Sequence, residues 1–282
     1  MINKREEGKR LLIYLALVFI TASTPIFLWK PMKQSIAFSF IVGTTWCCFP
    51  AIANLITRRA TNEGWRDMKI HLRLKGNFIW YLIAFFIPVV AVSFSVVLSG
   101  LVNHERILAD NVGMSDLCGV LLMVFSQVVM FSFVGVGEEL GWRAYMNQKL
   151  ELLFGNRIAC LLGGIIWALW HIPNDIAGGL AGEVSWHEVF VGSFERSVLL
   201  ICFGVLLMYL TNKTDSVWPA VVGHITYNTS IAMSGQAFGE ANAFATSREI
   251  HWIMFIPFVV IGIISFILIS HFMIWETDKE CR

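Results

Sequence analysis

Charge is scarce in this chain. Asp, Glu, Lys and Arg make up 15% of its 282 residues, against 56% hydrophobic ones, whereas soluble domains carry about 25% charged residues. That shortage excludes a water-soluble globule. With a mean hydropathy of +0.66, the composition is that of an integral membrane protein. A net charge of +1, with no basic stripe interleaved with aromatics, excludes a nucleic-acid partner. Among the six cysteines no C-x-x-C pair occurs, and five of them (Cys47, Cys48, Cys118, Cys160 and Cys202) sit in apolar runs. Neither a disulfide framework nor a cysteine metal site is expected. The N-terminal apolar run is too long for a signal peptide and lacks an A-x-A site, so it is expected to be a retained first span. Repeats, low-complexity tracts and linkers are missing as well, which leaves a single integral membrane domain over residues 1–282.

What the chain has is apolar length. Eight segments are long enough to consider as spans: Leu11–Trp29, Ile36–Thr57, Phe78–Leu101, Leu117 to about Tyr145, Ile158–Ile172, Val189–Leu210, Val217–Ser234 and Trp252–Met273. A span needs about 20 apolar residues, and an unpaired strand edge cannot face lipid. The expected fold is therefore all-α and polytopic, with about eight transmembrane helices. Sixteen of the 21 Lys and Arg residues fall on one side of this arrangement. Four (Lys30, Lys33, Arg106 and Arg248) fall on the other, and Arg196 lies within a span. Positive charge collects on the cytoplasmic side, so both termini are expected there, in a bacterial cell membrane with lipid as the surrounding partner. Glycine-rich residues Asn174–Glu188 follow a segment too short to cross fully and are expected to form a partly embedded loop, with Pro173 stopping the helix before it.

Three polar constellations interrupt the apolar runs of a core at about residues 117–234. The first is Glu138-Glu139-Leu-Gly-Trp-Arg143. On a helix, adjacent residues point about 100° apart, so the two carboxylates cannot share a role. Glu139 and Arg143 stand at i and i+4 and can pair. Glu138 is left free, and a buried carboxylate without a cation holds its proton more tightly, which suits a base that takes a proton from water. The second is Trp167-Ala-Leu-Trp-His171, which puts a ring one turn before an imidazole. The third is His224-Ile-Thr-Tyr-Asn228, again i and i+4. Polar groups at bilayer depth are costly and mark function. Glu138 with His171 can activate water, while His224 and Asn228 can receive the oxyanion formed when water attacks a peptide carbonyl. For Glu138 to meet His171, the fourth helix must continue past Glu138 through Trp142 and Tyr145, with Gly135, Gly137 and Gly141 admitting close neighbours. Glu195 and Arg196 are adjacent, point to different faces, and are expected to find separate partners or water.

In this order and spacing the three motifs resemble those of the type II CAAX prenyl endopeptidases, the CPBP family of intramembrane proteases. The family's pattern is Glu-Glu-x-x-x-Arg, Phe-x-x-x-His and His-x-x-x-Asn/Asp, and Trp167 stands here where the family has phenylalanine. The resemblance covers roughly Phe131 to Ser230. It implies an endopeptidase whose cavity opens to the cytoplasm and whose substrate is a membrane-associated or prenylated protein or peptide. Glu138, His171, His224 and Asn228 would be catalytic, supported by Glu139, Arg143 and Trp167. The metalloprotease label often given to the family leaves zinc on Glu138, His171 and His224 as one reading. The sequence has no H-E-x-x-H zinc motif, which favours metal-free, glutamate-activated water. Two other classes use the same buried groups: a proton-coupled transporter, which often shows inverted repeats, and a non-proteolytic membrane immunity or scaffold protein.

Overall fold

A computed structural model describes residues 3–102, 114–237 and 255–269. Of the groups named above, Arg106 and Arg248 lie outside the described residues, as do the two ends of Trp252–Met273. The chain runs α1 (Lys4–Ala22), α2 (Thr24–Gln34), α3 (Ile36–Ala60), α4 (Phe78–Val102) and α5 (Met114–Gly141), then a π-helical turn (Trp142–Met146), α6 (Asn147–Phe154), α7 (Asn156–Leu180), α8 (Trp186–Thr214) and α9 (Trp218–Ala237). A further helix, α10 (Phe255–Ile269), closes the described part. Every one of the eight apolar segments is helical over most of its described length. The protein is an all-α, polytopic membrane protein.

Among the described residues, five stretches are long and apolar enough to cross a bilayer: Lys4–Leu28, Ala37–Ala60, Phe78–Leu98, Leu121–Phe154 and Trp186–Thr214. Helices α7 and α9 fall short of that hydropathy because they carry the histidine motifs and several Ser, Thr, Asn and Asp residues on 25 and 20 residues of helix. Helix α7 packs along α8, α3 along α5, and α9 against both α4 and α5.

Two sequence expectations need correction. Helix α7 does not stop at Pro173. It runs on to Leu180 and is closed by the Ala181 N–H on the Ala177 carbonyl. Proline removes one backbone hydrogen bond, but ending the helix would strip several more in a region where lipid can replace none. The expected embedded loop from Asn174 to Glu188 accordingly shrinks to residues 181–185. Helix α8 begins three residues earlier than expected, through a reciprocal cap: the Ser185 hydroxyl accepts the Glu188 N–H at 3.3 Å while Glu188 Oε2 accepts the Ser185 N–H at 2.7 Å. The Ser-x-x-Glu spacing is a capping-box signature.

The fourth apolar segment continues past Glu138, as the site requires. It passes through the π-turn, where the Asn147 N–H reaches the Trp142 carbonyl, and extends to Phe154. Such turns concentrate at functional sites. The chain then reverses at Gly155, whose φ of +78° is natural only for glycine, and α6 packs against α7. Glu138 stands 17 residues before this reversal and His171 stands 16 after it. At ~1.5 Å per residue, the two halves of the hairpin bring both to nearly the same depth.

One end of the bundle is held by an ionic cluster. Lys149 on α6 bridges Glu7 on α1, at 2.7 Å, and Glu63. The Tyr145 hydroxyl donates to Glu63 at 3.0 Å. Arg58, fully buried on α3, bonds Asn54 and the Gly64 carbonyl and pairs with Asp67 at 2.6 Å. Burial on its own raises a carboxyl's proton affinity, but the Arg58 guanidinium outweighs it and holds Asp67 below the usual carboxylate range. The segment between α3 and α4 also ties itself under the α8–α9 junction, with the Val217 N–H on the Lys69 carbonyl and the Trp218 indole on the Ile70 carbonyl.

Candidate active site

Glycine brings the first motif into the bundle. A Cβ on Gly141 would sit 2.3 Å from Pro50 Cβ and 2.4 Å from its carbonyl carbon, and one on Gly137 would sit 2.7 Å from Cys48 Cα. Helices α3 and α5 therefore touch backbone to backbone, and Asn54 Nδ2 donates to the Leu140 carbonyl at 2.7 Å across the contact. Gly135 gives the same room to Ile225 of α9. The last turn of α5 is thereby set between α3 and α9, and both of its carboxylates are buried, Glu138 to 2% exposure and Glu139 to 0%.

The two carboxylates serve different neighbours, as their angular separation requires. Glu138 Oε2 accepts the indole N–H of Trp142, one turn on, at 3.2 Å, and the indole N–H of Trp167 on α7 at 2.7 Å. The Cys47 thiol of α3 lies beside the same carboxylate. Glu139 Oε1 accepts from Arg143 Nη1 at 3.0 Å and meets His224 Nδ1 of α9 at 2.7 Å. The i, i+4 pair forms, and it reaches a third helix.

Trp167 is the point where the three motifs meet. The Arg143 guanidinium lies over its ring, 4.4 Å from the centroid, within the range of a cation–π contact. His224 stands edge-on at 5.3 Å, and His171 lies tilted to the ring at 6.2 Å. His171 is also packed by Trp170 at 4.9 Å and Trp46 at 5.6 Å, two rings that stack on each other at 3.8 Å. His171 lies within electrostatic reach of both His224 and Arg196. Asn228 is half-buried one turn beyond His224, and its carboxamide is uncommitted among the described residues. All seven residues singled out by the motifs thus lie on the three helical stretches that converge on this indole.

Several neighbours have no role assigned by the motifs. Trp142 stands at i+4 from Glu138, and that spacing was its signal. Trp46 and Cys47 come from α3, which carries no motif. Arg196, expected to find a partner elsewhere, pairs with Asp175 of α7, whose other oxygen accepts from the Ser193 hydroxyl at 2.8 Å. Glu195 is largely buried.

The zinc reading asks Glu138, His171 and His224 to act as one ligand set. Among the described residues, no three His, Cys, Asp or Glu side chains gather closely enough to hold a metal ion. Glu138 Oε2 is taken up by two indoles and His224 Nδ1 by Glu139. As arranged, these side chains do not form a cage for the ion.

Comparison with known proteins agrees with the motifs. Residues 120–230 match the family described as type II CAAX prenyl endopeptidase Rce1-like. Over 96 residues the chain is 30% identical to the protein named CAAX prenyl protease 2 of Methanococcus maripaludis, an alignment covering 32% of this chain and 34% of that protein. The chain thus matches about a third of that relative's length. Residues 120–230, the stretch that matches the family, contain all three motifs, so the likeness falls on the part of the chain that builds this site.

Proposed function

We propose that this protein is an intramembrane endopeptidase that cleaves a membrane-associated or prenylated protein or peptide with water activated by Glu138 and His171. The observation that carries the reading is the convergence of Glu138, His171 and His224 around Trp167, from three stretches of chain far apart in sequence. In this scheme Glu138 takes one proton from water as the water oxygen bonds to the scissile carbonyl carbon, and His171 orients that water. The carbonyl oxygen becomes an oxyanion, received by His224 and the Asn228 carboxamide. The proton held by Glu138 then passes to the amine nitrogen as the C–N bond breaks.

The contact between His224 Nδ1 and Glu139 leaves Nε2 for substrate. The oxyanion role calls for the doubly protonated ring, with Nδ1–H on Glu139 and Nε2–H on the developing charge. No step is assigned to a metal, and 1,10-phenanthroline is expected to leave cleavage intact. We place residues 1–282 in one integral domain of a bacterial cell membrane, and put both termini in the cytoplasm on the strength of the Lys and Arg distribution.

The test uses purified protein in lipid nanodiscs and a fluorogenic prenylated peptide. Wild type is expected to cleave it, and Glu138→Gln, His171→Ala and His224→Ala to lose cleavage while keeping their thermal transitions. Full activity in folded Glu138→Gln would end the proposal.

A further inference from the structure

We infer that the indole N–H of Trp167 is a positioning group that decides which oxygen of Glu138 accepts the proton from water. The inference rests on the proteolytic reading above and goes beyond it. In the family's motif the equivalent place is phenylalanine, which fills space but donates nothing. Here the side chain is a donor, and it is aimed at Glu138 Oε2 at 2.7 Å. Trp142 donates to the same oxygen at 3.2 Å. Two N–H groups on one oxygen occupy its lone-pair directions and stop the carboxylate from rotating. Oε1 is the oxygen left to take the proton.

The donor is itself held in place. Trp167 is 1% exposed, with Arg143 over its face at 4.4 Å, His224 against it at 5.3 Å and Phe203 at 6.3 Å. Arg143 is in turn bonded to Glu139, which also meets His224 Nδ1. One indole therefore links the two carboxylates. Through its face it senses the ion pair that orients His224, and through its edge it fixes Glu138. The arrangement keeps the base and the oxyanion donor in a set relation to each other, a requirement of reactions that need groups aligned within fractions of an ångström.

Two measurements on the full chain in nanodiscs test this. Trp167→Phe keeps a packed ring and removes the N–H. Its kcat is expected to fall about 10- to 100-fold, the range for a lost hydrogen bond to a charged group, with KM unchanged and the thermal transition close to that of wild type. Separately, protein labelled with 15N at the tryptophan indoles is expected to show a strongly downfield Trp167 N–H, assigned by its loss in Trp167→Phe, that moves upfield in Glu138→Ala. The second measurement stands even where Trp167→Phe fails to fold. A folded Trp167→Phe with wild-type kcat, or a Trp167 resonance indifferent to Glu138→Ala, overturns the inference. If Glu138→Gln still cleaves, the proteolytic reading falls and takes this one with it. An active Trp167→Phe beside an inactive Glu138→Gln overturns the positioning role alone.

Discussion

His224 Nδ1 stands 2.7 Å from Glu139 Oε1, although 85 residues separate them in the chain. Glu139 is therefore more than the local partner of Arg143 on its own helix. It holds the His224 ring through Nδ1, and its carboxylate is shared between a cation of α5's extension and an imidazole of α9.

That sharing sets the first prediction. Glu139→Gln keeps the shape but weakens both contacts, and kcat/KM is expected to fall about 10- to 100-fold, as for groups that orient a reacting side chain. Binding of a non-cleavable substrate analogue is expected to stay unchanged. Steady-state kinetics with an affinity measurement checks it, and a wild-type kcat/KM would remove Glu139 from the task of holding His224.

The α3–α5 contact gives the second. Gly141→Ala places a methyl group 2.4 Å from the Pro50 carbonyl carbon, where backbone must move because no flexible side chain can give. Overpacking costs about 1–3 kcal/mol or more, and the Asn54 bond to the Leu140 carbonyl is strained with it. Both thermal stability and cleavage are expected to drop. Gly43→Ala, on the α3 side and with nothing within 4 Å of the new Cβ, is the control and is expected to be neutral or slightly stabilising.

Lys149 carries the third. It is 3% exposed and sits between Glu7 and Glu63, so Lys149→Met removes the buried cation between the two carboxylates and leaves Arg10, 2.5 Å from Glu7 and 3.9 Å from Glu63, as their remaining link. Breaking a buried ion pair from one side costs about 3–5 kcal/mol. Thermal unfolding in detergent should show a large loss, and Lys149→Met combined with Glu63→Gln should recover part of it. If the double variant is no more stable than the single one, the bridge is not what holds α1 to α6.

Asp67 gives a pH dependence. Its carboxyl is held below the usual range by Arg58, in spite of partial burial. A depressed folded-state pKa contributes stability above the unfolded value, which is lost as pH falls through the folded one. Asp67 is about half exposed, so solvent screens the pair and the effect is small. The Tm gap between wild type and Asp67→Asn is expected to be a degree or two near pH 7, in line with about 0.5 kcal/mol, and to close below the usual carboxylate pKa. A gap that widens in acid would reverse the assignment.

Much of the molecule could be read from the chain. Leu, Phe, Ile and Val runs of span length leave no alternative to helices, because a bilayer offers unpaired backbone groups no partner. The helical positions of Glu138, Glu139 and Arg143, and of His224 and Asn228, follow from spacing, since side chains three or four residues apart share a face. The likeness of residues 120–230 to the CAAX prenyl endopeptidases was legible in the order and spacing of the three motifs. Pro173 interrupts α7 without ending it, because where lipid offers backbone groups no partner, ending a helix is costlier than losing one hydrogen bond.

Tertiary structure alone decided which oxygen of which carboxylate meets which donor. Spacing put an aromatic ring beside His171, but nothing in it aimed the Trp167 N–H at Glu138 Oε2, seated Arg143 on that ring's face, or brought His224 to Glu139. Those contacts join residues 24 to 85 positions apart, and they depend on the α3–α5 approach at Gly137 and Gly141 and on the reversal at Gly155. Periodicity determines the face of a helix on which a group lies. Packing determines what that face meets, because hydrogen bonds and ion pairs are set by tenths of an ångström between elements that share no local sequence.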